Sequence, residues 1–180
     1  MSGIDETRAF VPVRIAVLTV SDTRTPEDDR SGDVLVGRIE GAGHALAARD
    51  IVSDDRDVIA AKLRMWCGDE TIDVIVTTGG TGLTGRDVTV EAHRDVYEKE
   101  IDAFGTVFTH VSMAKIGTSA IQSRACGGVA EGTYLFAFPG SPGACKDAWD
   151  EILAYQLDIR HRPCNFVEIM PRLDEHLRRK

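Results

Sequence analysis

The chain has 180 residues, 43% apolar and 28% charged, and its 21 basic and 29 acidic side chains leave a net charge of −8. That composition fits a single globular domain over 1–180, with disorder confined to the ends. With no basic run or aromatic-rich strand against the acidic balance, nucleic acid is not expected as a partner; nor does any run approach the ~18 apolar residues of a membrane span.

Strand and helix signals alternate along the chain. The β-branched apolar run 13–20 reads as a buried strand, followed by a polar loop over 21–29. In 30–39 the apolar residues Val34, Leu35, Val36 and Ile39 have helical spacing, closed by Gly41 and Gly43. A second strand is expected at 44–52. A helix capped by Asp55 or Asp57 follows, with Val58, Ile59, Leu63 and Met65 or Trp66 turned inward.

A third strand spans 73–78, and 89–100 reads as a helix with a solvated charged face. Another helix is expected over 104–116, ended by Gly117, and then a glycine-broken strand pair at 125–129 and 134–138. The loop 139–143 leads into a helix over 144–160, and 162–180 is expected to be an irregular tail with a basic end, outside a core of about 13–161. This alternation predicts a three-layer αβα fold with a mostly parallel central sheet. The loops 21–29, 53–55, 78–87 and 139–143 would then share one rim at the strand C-termini.

The most informative stretch on that rim is Thr77-Thr78-Gly79-Gly80-Thr81-Gly82, with Asp87 five residues beyond Gly82. Glycines let backbone N–H groups approach an anion, and threonines add hydroxyl donors. The GxxxxGK[ST] and GxGxxG patterns are both absent, so neither a Walker-type nor a dinucleotide loop is indicated. Carboxylates cannot bind phosphate themselves. Asp54 and Asp87, reaching one rim beside such a loop, point to Mg²⁺ held with substrate phosphates, while capping is the structural alternative for each. Pro139 to Gly143 offers backbone donors at a helix start or is a rigid bend. Arg124 is either a bidentate phosphate ligand or half of a surface salt bridge.

The four cysteines (Cys67, Cys126, Cys145, Cys164) form no CxxC pair, and the five histidines show no ligand spacing. Reduced, mostly buried thiols are expected, and with no signal peptide visible the location is expected to be cytoplasmic. Cys145 beside Lys146 at a helix start is the one thiol whose pKa a local charge could lower.

Several motifs together resemble the MoaB/MogA family of molybdenum cofactor biosynthesis proteins, related to the gephyrin-type G domains. They are Leu18-Thr19-Val20-Ser21-Asp22, Asp28-Asp29-Arg30-Ser31-Gly32, Thr78-Gly79-Gly80-Thr81-Gly82-Leu83-Thr84, Arg86-Asp87-Val88-Thr89, Ile116-Gly117-Thr118-Ser119-Ala120, Gln122-Ser123-Arg124-Ala125, Phe138-Pro139-Gly140-Ser141-Pro142 and Arg162-Pro163-Cys164-Asn165-Phe166. The fifth, sixth and last of these lean toward the MoaB branch.

The resemblance implies a molybdopterin-binding fold assembled as a homotrimer or homohexamer. It also implies adenylylation of the pterin's terminal phosphate by Mg-ATP, with the product passed to a MoeA-type partner. By motif, Asp54 and Asp87 would be the catalytic and metal-binding pair. Ser21, Asp22, Thr78, Gly79, Gly80, Thr81, Gly82, Ser123, Pro139, Gly140 and Ser141 would line the substrate cleft. The alternatives are a non-catalytic pterin-binding or scaffold protein of the MoaB type, or a regulatory oligomer whose tail packs across a neighbouring subunit through Cys164, Phe166, Val167, Ile169 and Met170.

Overall fold

A computed structural model describes residues 3–178. In chain order the elements are β1 (Gly3–Ile4), β2 (Arg14–Val20), α1 (Arg30–Gly41), β3 (Ala45–Val52), α2 (Arg56–Cys67), β4 (Val74–Thr78), α3 (Thr89–Arg94) and β5 (Lys99–Glu100). There follow α4 (Asp102–Ile116), a 3₁₀ turn at Gly117–Gln122, β6 (Cys126–Ala130), β7 (Thr133–Phe138) and α5 (Pro142–Ala148). A π turn at Trp149–Leu153 leads to α6 (Ala154–Gln156), β8 (His161–Arg162), α7 (Phe166–Ile169), a 3₁₀ turn at Met170–Arg172 and α8 (Glu175–Arg178).

Six strands form the main sheet in the order β3-β2-β4-β7-β6-β5, and β1 pairs with β8 in a separate ribbon. The first four main strands run parallel, while β6 and β5 are antiparallel to their neighbours. Alternate residues of β2 feed opposite faces, as strand geometry requires. Ile15 and Val17 pack with α1, α4 and α5 residues such as Leu35, Phe108 and Cys145. Ala16 and Leu18 pack with Ile59, Leu63 and Trp66 of α2 and Ala92 of α3. The protein is therefore a three-layer α/β fold. β2 continues through α1 to β3 on one side, whereas β4 leads to β7 on the other, which opens a crevice at the carboxyl ends of β2 and β4.

Four local expectations are corrected. In α2, Val58 and Met65 face solvent, and Ile59, Ala60, Leu63, Trp66 and Cys67 are the buried set. The 89–100 helix stops at Arg94, and Lys99–Glu100 pairs with Gly128 and Val129. The cause is tertiary: the Tyr97 ring lies where a Cβ on Gly128 would sit, at 2.4 Å, so the chain turns across the sheet edge.

The helix expected over 144–160 begins at Pro142, under an N-cap from Ser141, and ends at Gln156 after the π turn. Beyond that end Asp158 accepts from the Arg160 N–H at 2.9 Å. The tail carries short helices rather than irregular chain; Phe166, Val167 and Met170 pack on its own core, whereas Cys164 and Ile169 stay exposed. The Phe166 ring lies 4.9 Å from that of Tyr134 and 5.5 Å from that of Phe136. Its basic end at Arg179 and Lys180 lies outside the described residues.

Candidate phosphate and metal site

The sheet register builds the site. Thr19 of β2 stands beside Thr78 of β4, and Thr78 beside Phe138 of β7. The next residues, Val20–Ser21, Gly79–Gly80 and Pro139–Gly140, therefore emerge side by side. They sit closer than side chains would allow. A Cβ on Gly79 would lie 2.3 Å from the Val20 carbonyl oxygen, and one on Gly140 3.0 Å from Gly79 Cα. Gly79 and Gly80 have φ of 101° and 62°, which only glycine adopts without strain. The Gly79 N–H donates to the Phe138 carbonyl at 3.3 Å, and the Ser31 hydroxyl donates to the Gly140 carbonyl at 2.8 Å.

Both expected carboxylates border the loop. The space beside Gly80 where a Cβ would stand is 3.1 Å from Asp54 Oδ1, and the equivalent space beside Gly82 is 2.7 Å from Asp87 Oδ2. Neither aspartate caps a helix. Asp55 caps α2, accepting from the Asp57 and Val58 N–H groups, and α3 has Val88 in the N-cap position and no side-chain cap. Asp54 and Asp22 exchange hydrogen bonds: the Asp22 N–H donates to Asp54 Oδ2 at 2.9 Å, and the Asp54 N–H to Asp22 Oδ1 at 3.0 Å. Arg86 pairs with the other oxygen of Asp22. Ser21 turns its Oγ inward to accept from the Thr23 and Arg24 N–H groups, both at 3.2 Å.

The environments push the two carboxyls apart. Burial, then the Asp22 and Asp87 charges, raises Asp54 above the usual range against the Asp22 N–H and Arg86. Asp87 is held below the range, first by the Thr84 hydroxyl and then, against burial, by the Thr84 and Gly82 N–H groups and Arg124. Thr84 donates its N–H and hydroxyl to Asp87 Oδ2 at 2.8 and 2.7 Å. A divalent cation beside Asp54 would reverse its repulsion.

The donor set fits Mg²⁺ bound jointly with phosphate. Asp54 and Asp87 supply hard oxygens, and among the described residues no group of three or more His, Cys, Asp or Glu side chains is placed to hold a metal alone. Mg²⁺ commonly takes one or two carboxylates and fills its remaining positions with phosphate and water. Thr89 adds an orphaned polar atom. It is fully buried, its Oγ1 has no partner, and it sits 2.4 Å from where a Gly80 Cβ would be.

Other candidates sort by location. Thr78 and Thr81 are buried, and the Thr78 hydroxyl donates to the Pro139 carbonyl at 3.1 Å, so it serves the fold and not the rim. Ser141 accepts from the Ala144 N–H at 3.1 Å, which makes it the cap of α5. Ser123 lines a separate cleft with Arg94, Glu100 and Thr109. Ser21 and Asp22 open onto a cleft of about 490 Å³ with Arg24, Arg49 and Ser53. A more apolar cleft of about 590 Å³, lined by Ile101, Phe104, Val107, Tyr155 and Phe166, contains neither the glycine loop nor either aspartate. Cys145 is fully buried, and burial pushes its thiol up to about 11, so it is no nucleophile.

Sequence reasoning missed Thr84, Thr89 and Glu91. Arg124 proves neither a free phosphate ligand nor a simple surface ion pair. It holds Glu91 with both terminal nitrogens and also donates to three backbone carbonyls of the loop region. Only the Glu91-to-Arg124 charge complement was visible as a signal, and nothing in the spacing linked them.

Residues 16–159 match the family described as a probable molybdopterin binding domain. The chain belongs to that family. Molybdenum cofactor biosynthesis protein B of Escherichia coli strain K12 is 47% identical over 157 residues, covering 87% of this chain and 92% of that protein. The crystal structure of a molybdenum cofactor biosynthesis protein B superposes with a TM-score of 0.84 at 37% identity, over 93% of this chain and 99% of the other. The tungsten cofactor synthesizing protein MoaB from Pyrococcus furiosus gives 0.71 at 31% identity, over 79% and 91%. Membership puts the protein in molybdenum cofactor biosynthesis, and the matched segment contains the glycine loop, both aspartates and Arg124.

Proposed function

We propose that the protein binds molybdopterin on this rim and transfers AMP to its terminal phosphate. The observation that carries the reading is the approach of Asp54 and Asp87 to opposite ends of one glycine loop, at 3.1 and 2.7 Å from the spaces left by Gly80 and Gly82. In the reaction an oxygen of the pterin monophosphate attacks the α-phosphorus of ATP, the P–O bond to the β-phosphate breaks, and pyrophosphate leaves. The Gly80 and Thr81 amides would cradle phosphate oxygens, with Pro139 and Gly140 closing the far wall. Asp54 and Asp87 would hold Mg²⁺, which supplies neutralising charge at the phosphates. No covalent step on the protein is required. Catalysis would come from alignment of the two phosphates and electrostatic support of the pentavalent phosphorus.

AMP-pterin has an activated phosphate and would pass to a MoeA-type metal-inserting protein. Homo-oligomers, trimers or hexamers, would be the working form. Incubation with molybdopterin, ATP and Mg²⁺ should yield AMP-pterin and pyrophosphate. Asp87→Asn should lower kcat by about 10²–10³-fold, the usual cost of one electrostatic contact made in the transition state, while pterin binding is retained. Product no greater than the no-protein control, with pterin still bound, would reject catalysis and leave the protein as a binding or scaffold member of the family.

A further inference from the structure

One guanidinium gathers three backbone carbonyls on the glycine-loop side of the rim. Arg124 precedes β6, whose antiparallel pairing places Cys126 opposite Ala137 and so returns the 123–125 segment to the end of the sheet where β4 and β7 emerge. From there Arg124 Nε donates to the Thr81 and Gly82 carbonyls at 3.1 and 3.0 Å, and Nη2 donates to the Asp87 carbonyl at 2.9 Å. Glu91 of α3 grips the same guanidinium with both carboxylate oxygens.

The consequence follows from peptide planarity. In a trans peptide the N–H points opposite the C=O. With the Thr81 and Gly82 carbonyls gathered onto Arg124, the Gly82 and Leu83 N–H groups must face away from it. The Gly82 N–H then reaches the Asp87 carboxylate, which also takes both Thr84 donors. The same cation that orients the loop amides anchors the main chain of Asp87. Nε, Nη1 and Nη2 each donate to acceptors of the protein itself, and the fork geometry matches three carbonyls and a carboxylate as a lysine ammonium cannot.

We propose that Arg124 is a positioning residue: anchored by Glu91, it fixes the direction of the Gly82 and Leu83 amides and the seat of Asp87 without contacting the anionic ligand. This rests on the reading of the rim as a phosphate and metal site, yet part of its test needs no ligand. The first measurement is hydrogen–deuterium exchange of peptides covering 81–90, in the protein without ligands. That segment's exchange reports the Thr84, Asp87 and Thr89 amides, which are bonded to Asp87 Oδ2, the Thr84 carbonyl and the Gly80 carbonyl.

Arg124→Lys should speed exchange there at least tenfold and leave β4 and β7 unchanged. In the AMP-pterin assay it should lower kcat by about 100-fold, the scale of a small misplacement of a catalytic group, with KM for ATP and pterin within about threefold of wild type. Glu91→Gln, which loosens the anchor and keeps the guanidinium, should move both readouts in the same direction by less. Should Arg124→Lys fail to fold, Glu91→Gln decides alone. Wild-type exchange over 81–90 in the folded variant would overturn the proposal. So would a raised KM at unchanged kcat, which is the mark of a direct phosphate ligand. If wild type makes no AMP-pterin, the adenylylation reading fails and the exchange result still decides the role of Arg124.

Discussion

Gly79 carries the backbone where no side chain fits, because the Val20 carbonyl oxygen occupies the space of its Cβ at 2.3 Å and its φ is 101°. Gly79→Ala should therefore lower unfolding free energy by about 2–4 kcal/mol, the combined scale of forced positive φ and backbone overlap. Gly85→Ala, where the Cβ would meet nothing within 4 Å, should stay within about 0.5 kcal/mol. Urea titration of both variants compares them directly, and equal midpoints would show that the loop relaxes freely. Asp54 was legible in the sequence as an acidic residue after an apolar run, and Asp87 as one just beyond the glycine loop. Asp55 was legible as a cap of the second helix, but the exchange with Asp22 that sets Asp54 apart is visible only once β2 and β3 pair.

Among the elements, α3 is six residues long and has no side-chain cap, so propensity alone cannot hold it. A buried polar chain holds it instead. Thr77 of β4 meets His93 Nε2 at 2.9 Å, His93 Nδ1 meets the Tyr97 hydroxyl at 3.0 Å, and that hydroxyl donates to Cys126 Sγ at 3.2 Å. Burial drives the His93 pKa from its ordinary 6.5 to about 3, and burial also lowers His44 against the Asp158 charge. The folded state thus refuses protons that the unfolded chain accepts. The neutral-histidine contribution is fully present above about 6.5 and is lost as pH falls below it, at up to ~1.4 kcal/mol per pH unit for each such proton. Urea midpoints should drop between pH 6.5 and 4.5, before carboxylates titrate. His93→Asn should flatten that slope while destabilising the protein at pH 7. An unchanged slope would remove His93 from the account. The early end of α3 was illegible because the charge pattern of 89–100 suits a helix, and only the Tyr97 ring over Gly128 turns the chain.

At the scale of the molecule, α4 has apolar side chains on both faces. Phe104 and Phe108 enter the core, whereas Met113 and Ile116 are 49% and 54% exposed and Ile121 beyond them is 71% exposed. Exposed apolar side chains grouped in this way mark an interaction surface, which suits the proposed homo-oligomer. Met113→Glu combined with Ile116→Glu should reduce the mass seen by light scattering toward one chain, with the circular dichroism unchanged. A wild-type monomer, or a variant of undiminished mass, would exclude that face. No helix among the described residues is long and apolar enough to cross a membrane.

What the sequence determined by itself is local: the apolar runs that became β2, β4 and β7, the glycines that allow close approach, and the motifs that carry the family. Short-range sterics and hydrophobic periodicity write those signals directly into neighbouring residues. The tertiary structure alone decided that β6 runs antiparallel, that Arg124 thereby meets the carbonyls of Thr81, Gly82 and Asp87, and that the hydroxyls of Thr77 and Thr78 serve the interior. Contacts between residues some 40 positions apart depend on which strand edges pair, and no periodicity along the chain records that choice.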